Sequence, residues 1–326
     1  MAETILEVKN LHVHYITDDA TSKAVNGVSF TVEEKESLGL VGETGAGKTT
    51  TALSIMQLIP NPPGIIVDGE INYEGKNIIL NTEKQNMKIR GNGISMIFQD
   101  PMTALNPIMT IGDQLAEVIQ THKRLSKFKV KEQVVELLET VGIKRDRYND
   151  YPHQFSGGQK QRVVIAMALL CNPRLLIADE PTTALDVTIQ AQVLEIISSL
   201  RDKYNMSMIL ITHDLGIVAE TCDKVAIMYA GQIVEYGTVR DVYKNPKHPY
   251  TVGLFNSIPK LDEDTKELIP IEGQISNSAD LPCGCHFHPR CAYCKDICRQ
   301  KEPLTVGNGQ HQYKCHFDLF GKEVQR

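Results

Sequence analysis

Gly42-Glu43-Thr44-Gly45-Ala46-Gly47-Lys48-Thr49 fits the phosphate-loop pattern G-x-x-x-x-G-K-[ST] without a mismatch. Its three glycines permit backbone angles that a Cβ would forbid, so successive N–H groups can turn inward as an anion nest. Lys48 adds a positive charge at the β- and γ-phosphates of a nucleotide, and the Thr49 hydroxyl suits magnesium. The flanks agree with this reading. Ser37–Val41 reads as a short buried strand and Thr49–Leu58 as a helix whose N-terminus faces the phosphates. A chance glycine-rich turn would lack that strand–loop–helix order.

At 326 residues the chain has room for about two domains. Its 42% hydrophobic and 23% charged residues are ordinary for a globular protein, and a formal net charge of −6 argues against a general nucleic-acid binder. The longest apolar run, about Val163–Cys171, is far short of a bilayer span. Met1-Ala2-Glu3-Thr4-Ile5-Leu6-Glu7 is acidic and has no signal-peptide core, so a cytosolic chain is expected. Six of the eight cysteines lie between Cys283 and Cys315. In a reducing compartment such a cluster points to metal rather than to disulfides.

Leu6–Tyr15 and Ala24–Val32 alternate as strands. Tyr15 is open to two readings, a half-buried strand tyrosine or a ring for an adenine to stack on. Ile65–Ile79, punctuated by Asp68-Gly69 and Glu74-Gly75, predicts antiparallel strands. Ile94–Phe98 is an apolar strand that ends at Gln99, which taken alone reads as a turn residue. From Met109 to about Asn149 the pattern becomes helical, with Val134, Val135, Leu137, Leu138 and Val141 on one face of a small insertion. Ser156 and Gln159 have capping-box spacing, and Gly157 and Gly158 leave the first-turn N–H groups open to an anion.

Leu175–Glu180 is an apolar strand that ends in two carboxylates. Asp179 suits magnesium ligation, and Glu180 is placed to polarise a water for attack on a γ-phosphate. Behind a phosphate loop this is the second half of a nucleotide site. Val187–Leu200 predicts a helix and Met208–Ile211 a strand, ended by His213 where α/β sheets bind ligands. Val225–Tyr229 and Gln232–Glu235 complete the sheet. Lys244–Tyr250 is polar and proline-rich and Lys260–Lys266 charged, which sets a boundary near 255–265; the tail beyond is too short for a large core and calls for a staple.

Taken in order, these motifs resemble the ATPase subunits of ABC transporters, most closely those of bacterial dipeptide, oligopeptide and nickel importers. The resemblance spans nearly the whole chain. It implies an α/β P-loop NTPase of ABC type at 1–258, with an antiparallel β subdomain and a helical insertion at about 100–165. A small cysteine-rich C-terminal domain follows at 259–326. In family terms Gly42–Thr49 is the Walker A loop, Gln99 the Q-loop, Phe155–Gln159 the signature and Leu175–Asp179 the Walker B strand. Glu180 is then the catalytic glutamate, Asp186 the D-loop and His213 the switch histidine. Nucleotide contacts are implied for Tyr15, Gly42, Glu43, Thr44, Gly45, Ala46, Gly47, Lys48, Thr49, Thr50, Ser156, Gly157, Gly158 and Gln159, and magnesium contacts for Thr49, Gln99 and Asp179. Two positions depart from the family: Phe155 replaces a leucine, and Lys35 stands where a turn glycine is usual.

The resemblance further implies a head-to-tail pair of ATPase subunits, of the same or of homologous chains. Each signature covers the other chain's γ-phosphate, transmembrane permease subunits dock on the pair, and an extracytoplasmic solute-binding protein acts indirectly. Such a chain works at the cytoplasmic face of the membrane, without nucleic acid. The subfamily pattern selects Cys285, Cys291, Cys298 and Cys315 as ligands, leaving Cys283 and Cys294 as extras. It implies a [4Fe–4S] cluster, while ligand count alone admits zinc, with His286 or His288 as further candidates. A soluble ABC ATPase of DNA repair or ribosome function is the alternative, and nickel the alternative cargo. The coiled coils or fused second ATPase usual in that soluble class are not evident in the sequence.

Overall fold

The structure is a computed structural model and describes residues 3–183, 186–257 and 270–317. In chain order it comprises β1 (Thr4–Ile16), β2 (Thr21–Glu33), β3 (Ser37–Val41), α1 (Lys48–Ile55), β4 (Gly64–Tyr73) and β5 (Lys76–Asn77). Next come α2 (Glu83–Ile89), β6 (Ile94–Ile97), α3 (Pro101–Ala104), α4 (Ile111–His122), α5 (Lys127–Thr140), α6 (Gly157–Leu169) and β7 (Leu175–Asp179). The C-terminal half holds α7 (Val187–Tyr204), β8 (Ser207–Thr212), α8 (Leu215–Thr221), β9 (Lys224–Tyr229), β10 (Gln232–Thr238), α9 (Val239–Lys244), α10 (Pro249–Asn256), α11 (Asp296–Gln300), β11 (Thr305–Asn308) and β12 (His311–Lys314).

The chain divides into two compact units. One comprises Met1–Ile5, Val32–Glu36 and Asn77–Ile211; the other comprises Leu6–Thr31, Ser37–Lys76 and Thr212–Arg326. In the first, β6, β7 and β8 run parallel, with Ile94 opposite Leu175 and Leu175 opposite Ser207. All five residues of β7 are buried, which is why the strand is continuously apolar up to Asp179. The insertion is helical as expected. Val134, Val135, Leu137 and Leu138 of α5 are all buried.

In the second unit β3 pairs with β9 in parallel, and β10 pairs antiparallel with β9 and with β12. β1 and β4 pair antiparallel in a separate four-stranded sheet of order β2-β1-β4-β5. The antiparallel pairing expected here forms, but Asp68-Gly69 does not divide the segment: it is a bulge within β4, where the register against β1 shifts beside His12. Gly69 has φ +106°, and a Cβ would meet Asn10 O at 2.6 Å and Lys9 O at 2.7 Å. A bulge and a hairpin turn both demand glycine at positive φ, so the dipeptide alone does not separate them.

The tail, for which a staple is expected, also shares a core. Phe287, 3% exposed, lies in one buried cluster with Val41, Val225, Ile227, Tyr229 and Tyr250, and Cys285 and Cys291 pack against it. The boundary expected after residue 258 lies outside the described residues.

Candidate functional site: a phosphate loop and a strand-end glutamate

Within the second unit, β3 delivers the chain into the glycine loop, and α1 starts directly after it with Gly47 as N-cap at φ +100°. Gly45 also takes positive φ, +83°. A Cβ on Gly47 would meet Ala24 O at 2.5 Å, and one on Gly42 would collide with Met228 O. The loop thus has the tight backbone expected of an anion nest. Lys48, only 6% exposed, donates from Nζ to Gly42 O at 2.7 Å and Glu43 O at 3.1 Å. Its charge is held at the mouth of the loop that a phosphate would fill. Thr49 is exposed at the helix start, followed by half-buried Thr50.

Glu43 is held from far along the chain. Its N–H donates to Tyr250 Oη at 3.0 Å, and its carboxylate takes Arg290 Nη1 at 2.6 Å and Nη2 at 3.1 Å. Neither partner was anticipated from the sequence, and no local pattern signals contacts across 207 and 247 residues. Tyr15 is half-buried near the end of β1, opposite Gly64, whose Cβ would meet its ring at 2.9 Å. His213 is exposed just beyond β8, and the next residue, Asp214, caps α8.

The same unit gathers the tail thiols. Cys285, Cys291, Cys298 and Cys315 line a single cavity of about 110 Å³ with Phe287, His248 and His316, whereas Cys283 and Cys294 do not. Gly284 makes this possible at φ +74°; a Cβ there would strike Cys298 O, and the Cys285 N–H donates to that oxygen at 2.8 Å. Burial pushes the Cys285 thiol up to about 12 and Cys291 up to about 11, so without a metal they are neutral and pack as small hydrophobes. Among the described residues no three His, Cys, Asp or Glu side chains are arranged to hold a metal ion. The four thiols fit such a group by converging on one cavity.

Within the first unit, Gln99 does not sit idle in a turn. Its Nε2 donates to Glu180 Oε2 at 3.1 Å, and Thr183 Oγ1 donates to the same oxygen at 2.9 Å. Glu180 leaves β7 in the left-handed region, φ +46°, with its N–H donated to Ile211 O at 2.9 Å. A non-glycine residue held there is strained, as side chains aimed at chemistry often are. Asp179 beside it is 1% exposed.

The capping box forms as the spacing predicts. Ser156 N–H donates to Gln159 Oε1 at 3.1 Å, and the Gln159 N–H reaches Ser156 Oγ at 3.4 Å. A Cβ on Gly157 would meet nothing within 4 Å, so this helix start lies open, while one on Gly158 would meet Ile189 Cγ2 at 2.7 Å. Phe155 is buried, and the Arg147 guanidinium stacks 4.0 Å from its ring centre, which gives the phenylalanine a partner that leucine would lack. Asp186 is the N-cap of α7; Ala184 and Leu185 before it lie outside the described residues.

A phosphate loop, a strand-end glutamate and a glycine-rich capped helix together define an ATP-binding cassette. Residues 25–183 match the ABC transporter family, and residues 234–298 match the oligopeptide/dipeptide transporter C-terminal region. Among curated relatives, the chain is 50% identical to the oligopeptide transport ATP-binding protein AppD of Bacillus subtilis, covering 94% of this chain and 95% of that one. It is 48% identical to the dipeptide transport ATP-binding protein DppD of the same organism, over 96% and 94%. It is likewise 48% identical to OppD of Salmonella typhimurium, over 94% and 91%. Among solved structures, cbiO1 from Clostridium perfringens, part of the ABC transporter complex cbiONQ, matches with a TM-score of 0.64 at 28% identity, over 74% of this chain and 91% of that one. A dimeric ATP-binding cassette bound to ADP and Pi matches in fold, with a TM-score of 0.65 at 24% identity, over 72% and 99%. The chain belongs to the ABC transporter ATPase family, in its oligopeptide/dipeptide branch.

Proposed function

We propose that this chain is the ATP-hydrolysing subunit of a membrane ABC transporter that imports dipeptides or oligopeptides. The observation that supports this most is the near-full-length similarity to peptide-transport ATP-binding proteins in a chain that keeps Lys48, Asp179 and Glu180. In this reading Gly42–Thr50 cradle the ATP phosphates and Lys48 exchanges its two loop carbonyls for phosphate oxygens. Tyr15 stacks on the adenine. Thr49, Gln99 and Asp179 would hold magnesium, which offsets the charge of the phosphates when bound. Glu180 accepts a proton from the attacking water, Gln99 and Thr183 fix its carboxylate, and His213 orients the γ-phosphate.

Half of each working site comes from a second ATPase subunit. Ser156, Gly157, Gly158 and Gln159 of one chain cover the γ-phosphate of the other, in a head-to-tail dimer whose partner is a homologous chain. Permease subunits supply the translocation path; no helix among the described residues is long and apolar enough to cross a membrane. Phe98, 43% exposed, and Ile108, 82% exposed, flank Gln99 in sequence and offer those subunits an apolar foothold at the cytoplasmic face. The solute is recognised by an extracytoplasmic binding protein.

The tail from 259 is read as a cysteine-rich domain in which Cys285, Cys291, Cys298 and Cys315 would hold a [4Fe–4S] cluster. Anaerobically purified protein is then brown, and Cys291→Ser bleaches it. Stoichiometric zinc in a colourless anaerobic preparation counts against the cluster. For the main assignment, proteoliposomes with the permease and partner subunits should take up a labelled dipeptide on ATP, and Glu180→Gln should abolish the uptake. Uptake of nickel without peptide overturns the cargo. Full-rate turnover by a verified monomer carrying Ser156→Ala overturns the shared site.

A further inference from the structure

A carboxylate inside a phosphate-binding loop is an electrostatic liability. Left unpaired, Glu43 would repel the anion the loop exists to hold and compete with it for Lys48. The tail removes the problem. Arg290 meets the Glu43 carboxylate with two parallel N–H bonds, at 2.6 and 3.1 Å, the bidentate geometry in which guanidinium–carboxylate pairs are strongest. The Arg290 side chain is 3% exposed and that of Glu43 26%.

Arg290 is itself fixed before it reaches the loop. Its Nε donates to Glu272 O at 3.1 Å, Nη2 donates to Ile271 O at 3.2 Å, and the guanidinium lies 5.7 Å from the Tyr229 ring centre. Tyr229 packs against Tyr250 at 4.8 Å and Phe287 at 5.1 Å between ring centres, and Tyr250 is the residue that takes the Glu43 N–H. Side chain and backbone of one loop residue are thus both fastened to the C-terminal part of the chain.

We propose that Arg290 is a positioning residue of the ATP site. By neutralising and tethering Glu43 it keeps the phosphate loop receptive to nucleotide, so that ATP affinity depends on a residue of the cysteine-rich tail. This rests on reading Gly42–Thr49 as the nucleotide loop, and the experiment separates the two.

ATP dissociation constants are measured on the full-length chain, and kcat and KM on the assembled transporter. Lys48→Ala tests the loop reading, and retained ATP binding there removes the ground for both. With that control passed, Arg290→Gln is expected to weaken ATP binding and raise KM about tenfold while kcat changes less than about twofold. Arg290→Lys, which keeps the charge without the fork, recovers part of the loss. Adding Glu43→Gln to Arg290→Gln recovers most of it, because no unpaired carboxylate remains. Wild-type affinity in Arg290→Gln overturns the proposal, as does a fall in kcat at unchanged KM. Should Arg290→Gln fail to fold, the double variant decides: folded, but binding ATP more than about fivefold worse than Glu43→Gln alone, it overturns the electrostatic role.

Discussion

The phosphate loop and the end of β7 both place chemistry at the tip of a buried strand, and they do so by opposite means. In the loop, on the function proposed, the backbone N–H groups bind the ligand. Glycine therefore takes the left-handed positions, Gly45 and Gly47, and the side chain that remains, Glu43, is tied off by residues of the tail. At the strand end a side chain is to act. A non-glycine residue, Glu180, therefore takes the left-handed position at a cost on the order of 1 kcal/mol. Its carboxylate is steadied by neighbours of the same unit, Gln99 and Thr183. Backbone function draws on glycine and remote bracing, whereas side-chain function draws on strain and near bracing.

The sharpest test of that contrast is at the strand end. Glu180→Gln keeps the bulk and the ability to accept a hydrogen bond but cannot take a proton. Phosphate release should fall by about 10²–10⁴-fold with ATP binding retained; unchanged turnover would remove the reason for the strain. The bracing of the loop is tested next by Phe287→Ala. It empties a 3% exposed site in the cluster that includes Val41 and should cost about 3–5 kcal/mol, read as one earlier urea transition. A separate early transition confined to the tail would mean that loop and tail do not share a core.

pH probes the same seal. His248 is fully buried, its Nδ1 accepting the Tyr250 N–H at 3.1 Å, and burial lowers its pKa from 6.5 to about 4 against the opposing pull of Glu235. Between those values the unfolded chain binds more protons than the folded one. The contribution is therefore intact above pH 6.5 and is lost as the pH falls toward 4, by on the order of 3 kcal/mol. The difference between wild type and His248→Asn in urea midpoints across that range isolates it, and parallel curves would show that the imidazole is not sealed. The smallest effect concerns strain without function. Lys35 holds φ +64° and donates its N–H to Ser207 Oγ at 2.9 Å, in the turn before β3. Lys35→Gly should gain about 0.5–1 kcal/mol, seen as a raised Tm; a loss would make left-handed strain a poor guide at Glu180 as well.

Much of the local structure of these motifs was legible because it is short in range. The G-x-x-x-x-G-K-T loop, the apolar strand ending at Asp179 and the Ser156–Gln159 box each lie within a dozen residues. Their bonds follow from backbone geometry at fixed sequence spacing. Asp68-Gly69 did not by itself tell a bulge from a hairpin turn, because both make the same demand on φ. Gln99 was ambiguous until Glu180, 81 residues on, supplied its partner.

What the amino-acid order determined by itself is local: the glycine loop with its lysine, the carboxylates at the end of an apolar strand, and which strands are buried enough to hold them. Only the tertiary structure decided that four of the six tail cysteines share a cavity, that Phe287 completes the core beneath β3, and that Arg290 neutralises Glu43. The reason is range. Hydrogen bonds within a turn are dictated by the backbone angles of adjacent residues, whereas a contact across 247 positions depends on how every intervening element packs, and no short window of sequence contains that information.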